Sequence, residues 1–444
     1  MNITPLENWI CSKTGAGDAV SLRAYQLEML RETVAYAKQR SRFYRKHLSG
    51  IQPGSIKTLE DAGNIPFTTA DMLSGAPLDF VCVPPGDVGR IVTLPTSGTT
   101  GPSKRVYFTD ADQELTRDFF HRGMTTLVSG SDRVLIFLPG KAVGSIGRLL
   151  AQALERFGCE SVIHGPVDSY SDAGRALASS GATCAAGLPA QLFALSRLYP
   201  GVRLKSVLLC SDYTAEPVTR AIAGAWGCEV FSHYGMIESG LGGGVDCRAH
   251  AGYHMREADL FFEVADPESG APSPEGTHGE IVFTTLTRRG MPLIRYKTGD
   301  ISCVLPGPCP CGSYLRRFER VSGRIGGCPE VRGGHKISMP ALDEILFGIP
   351  GLIGFEARLT GGENDETLVV TVYSNDGVQT VRAAETLLKN DLFTGVPLHG
   401  GVPLHGGVTE PGRPGIEIID GDAEVLTRGN TKRGIIDLRR RHVT

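Results

Sequence analysis

Long apolar runs are missing from this chain. No stretch approaches the roughly 18 consecutive apolar residues that a membrane-spanning helix needs, so membrane insertion is not expected. A charge excess is missing too: 45 Lys and Arg against 48 Asp and Glu leave a formal net charge of −3 over 444 residues. That balance gives no electrostatic footing for nucleic acid or an anionic membrane surface. Residues 1–11 hold Glu7 and Trp9 and lack a basic segment followed by an apolar core. No secretory signal is therefore expected there, and a cytoplasmic protein is the simplest expectation. The 11 cysteines are odd in number and mostly scattered, which argues against a disulfide framework in a cytosolic chain of this size. Cys82, Cys159, Cys184, Cys210 and Cys228 sit among apolar residues and read as buried small hydrophobes.

What is present is ordinary globular material, 41% hydrophobic and 21% charged. At roughly 100–200 residues per domain, the length suggests two to four compact units. Residues 21–47 read as one amphipathic helix, with Leu27, Leu30, Val34 and Ala37 at spacings of three and four. Strand-like runs at 134–138, 161–164, 206–210 and 228–232 then alternate with helical stretches such as 149–157, which argues for a largely parallel α/β sheet. From Arg256 the chain looks β-rich, with strands at 260–264 and 280–285, a turn-rich 267–279 and a loop at 304–312. Glycines 323, 326, 327, 333 and 334 mark a flexible passage, followed by a helix at 340–347 and a strand at 367–373. The expected fold is therefore α/β. A large N-terminal domain, residues 1–323, has mixed or parallel sheets and a β-rich subdomain, and a hinge joins it to a small α+β domain, residues 324–444. The segment 395–400 (GVPLHG) is repeated at once as 401–406 and reads as an exposed loop rather than a metal site of His399 and His405.

One local string carries chemistry. Thr96, Ser97, Gly98, Thr99, Thr100 and Gly101 lead through Pro102 and Ser103 to Lys104, directly after the apolar run 91–94. Its glycines let backbone N–H groups turn toward an anion, while hydroxyls and an ammonium contact phosphate oxygens. It is no Walker loop, since the spacing is G-x-x-G-x-x-K. The whole string resembles the phosphate-binding signature of adenylate-forming enzymes. Phe43-Tyr44, Asn64-Ile-Pro-Phe-Thr-Thr, the strand-like stretch from Gly279, and the string from Ile294 to Asp300 extend the likeness in order over most of 20–345. They resemble the phenylacetate–CoA ligase branch.

That resemblance implies a site. His233, Tyr234, Gly235 and Met236 would lie by the adenine and α-phosphate, and Glu238 would hold Mg²⁺ and act in catalysis. Asp300 would accept both ribose hydroxyls, since an ionised carboxylate offers two acceptors. Arg324 would sit near ribose and phosphate at the hinge. Ser211 and Asp212 occupy the place of the adenine loop but depart from its usual Gly-Ala-Glu pattern, and Ile237 stands where relatives often carry Thr or Ser. Lys432 in Thr431-Lys432-Arg433 resembles the catalytic lysine, and 331–336 the loop that approaches the thiol tunnel. The implied activity is an ATP-dependent carboxylate–CoA ligase. It forms an acyl-adenylate, then acyl-CoA, and releases pyrophosphate and AMP. Its partners would be a small carboxylic acid, ATP and coenzyme A; relatives of this branch are often dimers, so a homodimer is one expected assembly.

Cys247, His254, Cys309 and Cys311 supply three thiolates and one imidazole, a complete tetrahedral zinc set with His250 as a competing ligand. Some relatives of the same branch resemble this pattern and hold a structural zinc. The acid pocket is expected near 138–145 and 185–188, where small and apolar residues suit an aryl or a branched acid and Lys141 offers a second polar group. Two rival readings remain open at the level of sequence. The acceptor thiol could be the pantetheine of a carrier protein. Alternatively, the altered adenine loop, Ile237 and the shifted lysine suit a nucleotide-binding or zinc-stabilised scaffold that has lost catalysis.

Overall fold

The computed structural model describes residues 4–94, 103–362, 365–392, 414–421 and 433–439. The calls on Thr96, Ser97, Gly98, Thr99, Thr100, Gly101 and Lys432, and on the repeated GVPLHG segment, lie outside the described residues. Among the described residues no helix is long and apolar enough to cross a membrane. The chain divides into two compact units.

The first unit comprises Met1–Ser131, Lys141–Glu160 and Phe231–Arg320. Its central antiparallel sheet is built from Leu260–Ala265, Gly279–Thr285 and Tyr296–Ser302. Every residue of the middle strand Gly279–Thr285 is buried, as expected for a strand covered on both faces. Tyr296–Ser302 alternates buried and half-buried positions, so one face is packed and the other points outward. Arg90–Leu94 pairs antiparallel with Lys104–Phe108, register Leu94 to Lys104. The helix Asp110–Met124 begins with a reciprocal cap between Thr109 and Asp112.

The expected single helix over 21–47 is two helices, Ala19–Arg40 and Arg42–His47. Ser41 between them adopts an extended backbone, and its hydroxyl accepts the Tyr44 N–H while donating to the Asp79 carbonyl. Apolar spacing continues through the break, so periodicity alone does not reveal a capping serine. A further helix, Pro5–Thr14, precedes it.

The second unit comprises Asp132–Gly140, Ser161–Val230 and Val321–Thr444. Strands Arg133–Ile136, Cys184–Gly187 and Ser206–Leu209 form a parallel sheet. The first and last were expected, whereas the middle strand, made of Cys, Ala and Gly, carries no β-branched run and was not. Leu352–Thr360, Thr367–Ser374, Gly415–Gly421 and Ile436–Asp437 form a second, mixed sheet beside the helices Met339–Leu346 and Gly377–Asp391. Residues of both sheets and their helices share one apolar core, in which the Phe193 and Phe347 rings lie 4.6 Å apart.

Three of the motifs meet in the first unit. Arg295 donates to the carbonyls of Gly63 at 2.9 Å and Ile65 at 2.6 Å, pairs with Glu263 at 3.1 Å, and lies 4.0 Å over the Phe67 ring. The Thr68 N–H donates to the Arg295 carbonyl, and the Thr68 hydroxyl to that of Ile294. The Tyr44 hydroxyl accepts from the Ile294 N–H at 2.9 Å. Arg295 holds a left-handed backbone, φ 46°, a cost that these contacts offset. Its side chain is 2% exposed and Glu263 10%, so removing one partner strands a buried charge. Arg295→Ala should lose roughly 3–5 kcal/mol in urea unfolding, whereas Arg289→Ala, whose side chain is 44% exposed, should lose about 1 kcal/mol or less. Equal losses would remove Arg295 from this role.

Candidate nucleotide site

The strand Lys104–Phe108 begins with Lys104, the last residue of the glycine- and hydroxyl-rich string. The Lys104 ammonium pairs with the Glu238 carboxylate, and the Tyr296 hydroxyl donates to the same carboxylate oxygen at 3.2 Å. Lys104 also lies 3.4 Å from that hydroxyl. Glu238 is 2% exposed, so its charge demands such partners. From behind, Arg288 donates to the Glu238 backbone carbonyl at 2.6 Å while stacking 4.3 Å over Phe108.

Four residues before Glu238, the Tyr234 hydroxyl donates to Asp300 Oδ2 at 3.1 Å. Asp300 is four residues after Tyr296 on the strand Tyr296–Ser302. Segments 234–238 and 296–300 are thus cross-linked twice, Tyr234 to Asp300 and Glu238 to Tyr296. Lys104, Glu238, Tyr234 and Asp300 are brought together as one wall, with Asp300 9% exposed. Two glycines make the approach feasible. A Cβ on Gly235 would meet the Leu241 carbonyl oxygen at 2.5 Å, and Gly299 holds φ 77° so that its N–H reaches Glu280. Met236 opens a turn whose N–H and carbonyl both bond the Ser239 hydroxyl.

His233 faces elsewhere. Its ring lies 6.1 Å from Phe119 and 5.9 Å from Phe120, because successive strand side chains take opposite faces. Burial, with Arg256 adding to it, pushes the His233 imidazole down to about 4.

Ser211, Asp212 and Arg324 belong to the second unit. Asp212 accepts from the Tyr213 N–H at 2.9 Å and from the Arg433 N–H at 3.2 Å. The Arg433 guanidinium pairs with Asp343 and lies 4.3 Å over the Phe355 ring. Burial pushes the Asp343 carboxyl up to about 7 despite that arginine. Sequence reasoning missed Arg433 as an anchor beside Lys432, and missed Arg288 and Tyr296 around Glu238. Tyr296 lay inside a quoted motif, but nothing in the string says which of its side chains points at Glu238.

Cys247, His254, Cys309 and Cys311 place their ligand atoms all within 4.8 Å of one another. Cys247 and Cys309 sulfurs are 3.7 Å apart, and Cys311 Sγ lies 3.3 Å from His254 Nε2. Burial holds the His254 imidazole down to about 4, its neutral, metal-competent form, and pushes the Cys247 thiol up to about 12. His250 turns instead toward Asp246, 3.9 Å away.

The sequence profile of the AMP-binding enzymes matches residues 55–286. The phenylacetate-coenzyme A ligase of Thermus thermophilus is 30% identical over 345 residues, 75% of this chain and 76% of that one. Those of Aromatoleum evansii and Escherichia coli K12 are each 28% identical, over 70% and 73% of this chain and 72% and 76% of theirs. In fold, the chain is similar to a 2-hydroxyisobutyryl-CoA ligase in its postadenylation state with 2-HIB-AMP, at TM-score 0.77 and 20% identity, covering 95% of this chain and 90% of that one.

Proposed function

The chain belongs to the AMP-binding enzymes, in their phenylacetate–coenzyme A ligase branch, and we propose that its nucleotide wall carries out the first half of an AMP-forming ligation on an aryl or other small organic acid. It is an ATP-dependent acid–thiol ligase that forms an acyl-adenylate and then acyl-CoA. The observation that carries the site is the convergence of Lys104, Glu238, Tyr234 and Asp300.

ATP lies with its ribose on Asp300 and its phosphates over residues 96–101 and Lys104. Lys104 leaves Glu238 for the phosphates, and Glu238 would be the carboxylate that holds the accompanying hard cation. One carboxylate, phosphate oxygens and water suit Mg²⁺, which supplies charge neutralisation when bound. The acid carboxylate attacks the α-phosphorus and pyrophosphate leaves. Lys432 stabilises the charge that develops, an electrostatic and positional contribution. Residues 324–444 then turn at Arg324, where Gly326 and Gly327 follow and absorb the backbone change. That turn parts Asp212 from Arg433 and Phe193 from Phe347. The thiol of coenzyme A attacks the acyl carbonyl and AMP departs. Small apolar residues near 138–145 and 185–188 line the acid.

The donor set Cys247, His254, Cys309 and Cys311 fits a structural zinc, with a neutral imidazole and three sulfurs at one point. Four protein ligands would leave no open position, so such a zinc would clip the β-rich middle region and supply no catalytic chemistry.

Pyrophosphate release across a panel of acids, with and without coenzyme A, tests the function. An aryl or small branched acid should drive release and coenzyme A should accelerate turnover; silence across the panel sinks it. Lys432→Ala should slow adenylation roughly 100-fold or more while sparing thioester formation from supplied acyl-adenylate. Equal losses in the two steps would reassign the lysine. Protein purified without chelator should carry zinc that Cys309→Ser loses, and unchanged metal content would refute the clip.

A further inference from the structure

A second cluster of metal-ligating side chains lies outside both sites described above. His278 immediately precedes the strand Gly279–Thr285, and Cys303 immediately follows Tyr296–Ser302. Gly279 and Ser302 are antiparallel partners, so the two residues sit at the same end of the sheet. Glu319 joins them from the segment after Arg317–Phe318. Its N–H donates to the Cys303 carbonyl at 3.0 Å, and the Ser302 hydroxyl donates to its carbonyl at 2.8 Å. Backbone pairing thus fixes all three positions before any ligand arrives.

The side chains converge further. His278 Nε2 lies 2.7 Å and Cys303 Sγ 3.6 Å from the same Glu319 oxygen, Oε2. The three candidate ligand atoms are all within 4.8 Å of one another. Cys303 is 3% exposed and forms the floor. The His278 and Glu319 side chains are 22% and 29% exposed and leave one side open to solvent.

We propose that His278, Cys303 and Glu319 form a second, open site for a zinc-class divalent ion. A thiolate, a carboxylate and a neutral imidazole carry two negative charges together, which balance a divalent cation. Sulfur beside nitrogen selects late first-row ions over Mg²⁺ or Ca²⁺. Three protein ligands plus solvent is the open tetrahedral arrangement, in contrast to the closed four-ligand set. On binding, the Cys303 S–H bond gives way to a sulfur–metal bond and the proton passes to solvent. The site also ties the strand that carries Asp300 to Glu319, so occupancy stiffens the ribose end of the nucleotide wall.

Cobalt(II) titration of the metal-stripped full chain, followed by thiolate-to-cobalt absorbance, tests the proposal. Wild type should take up two equivalents. Cys303→Ser should take up one and keep the stronger, three-thiolate absorbance of the closed set. Cys309→Ser should retain the weaker, single-thiolate signal. Glu319→Gln keeps every thiol and changes only a half-exposed side chain. It should weaken the second equivalent about tenfold or more, which decides the matter should Cys303→Ser fail to fold. Uptake of a single equivalent by wild type overturns the proposal, as does a second equivalent indifferent to both Cys303→Ser and Glu319→Gln.

Discussion

A buried carboxylate needs a cation, and Glu238 organises the nucleotide wall around that need. At 2% exposure its charge is held by the Lys104 ammonium and the Tyr296 hydroxyl. Each partner arrives from a different element: Lys104 from the hairpin strand Lys104–Phe108, Tyr296 from the central sheet. Because Tyr296 and Asp300 share a strand, and Tyr234 ends the strand that leads into the turn of Glu238, satisfying Glu238 also aligns the Tyr234–Asp300 contact. In the proposed reaction Lys104 would exchange this carboxylate for phosphate, and Glu238 would then be free to meet a hard cation. A charge too costly to leave bare thus couples hairpin, turn and sheet.

The scaffold behind this wall is held the same way. Arg295, 2% exposed, binds Glu263, two backbone carbonyls and the Phe67 face. Through Thr68 and Tyr44 it joins the N-terminal helices to the strand that carries Asp300. Motifs far apart in sequence are therefore one packed cluster, which gives a physical reason for their appearing together.

Much of this was legible in the sequence. The parallel strands at Arg133–Ile136 and Ser206–Leu209 were found within a residue or two, but Cys184–Gly187 between them, which has no β-branched residue, was not. The Cys247, His254, Cys309 and Cys311 ligand atoms lie within 4.8 Å of one another. The break at Ser41 was hidden, since apolar spacing continues on both sides and only a tertiary bond to Asp79 marks it. Likewise Tyr296, Arg288 and Arg433 act through side-chain direction and distant partners, which no local pattern encodes. His233 shows the converse: adjacency to Tyr234 in a strand places it on the other face, against Phe119 and Phe120. The triad of His278, Cys303 and Glu319 spans three segments whose register only the folded sheet reveals.

Calorimetric titration with ATP and Mg²⁺ tests the central claim most directly, comparing wild type with Asp300→Asn and Glu238→Gln at matched folding stability. The account requires both variants to bind more weakly, Asp300→Asn by roughly tenfold or more for a lost charge-assisted hydrogen bond. Wild-type affinity in both folded variants would place the nucleotide elsewhere and contradict it.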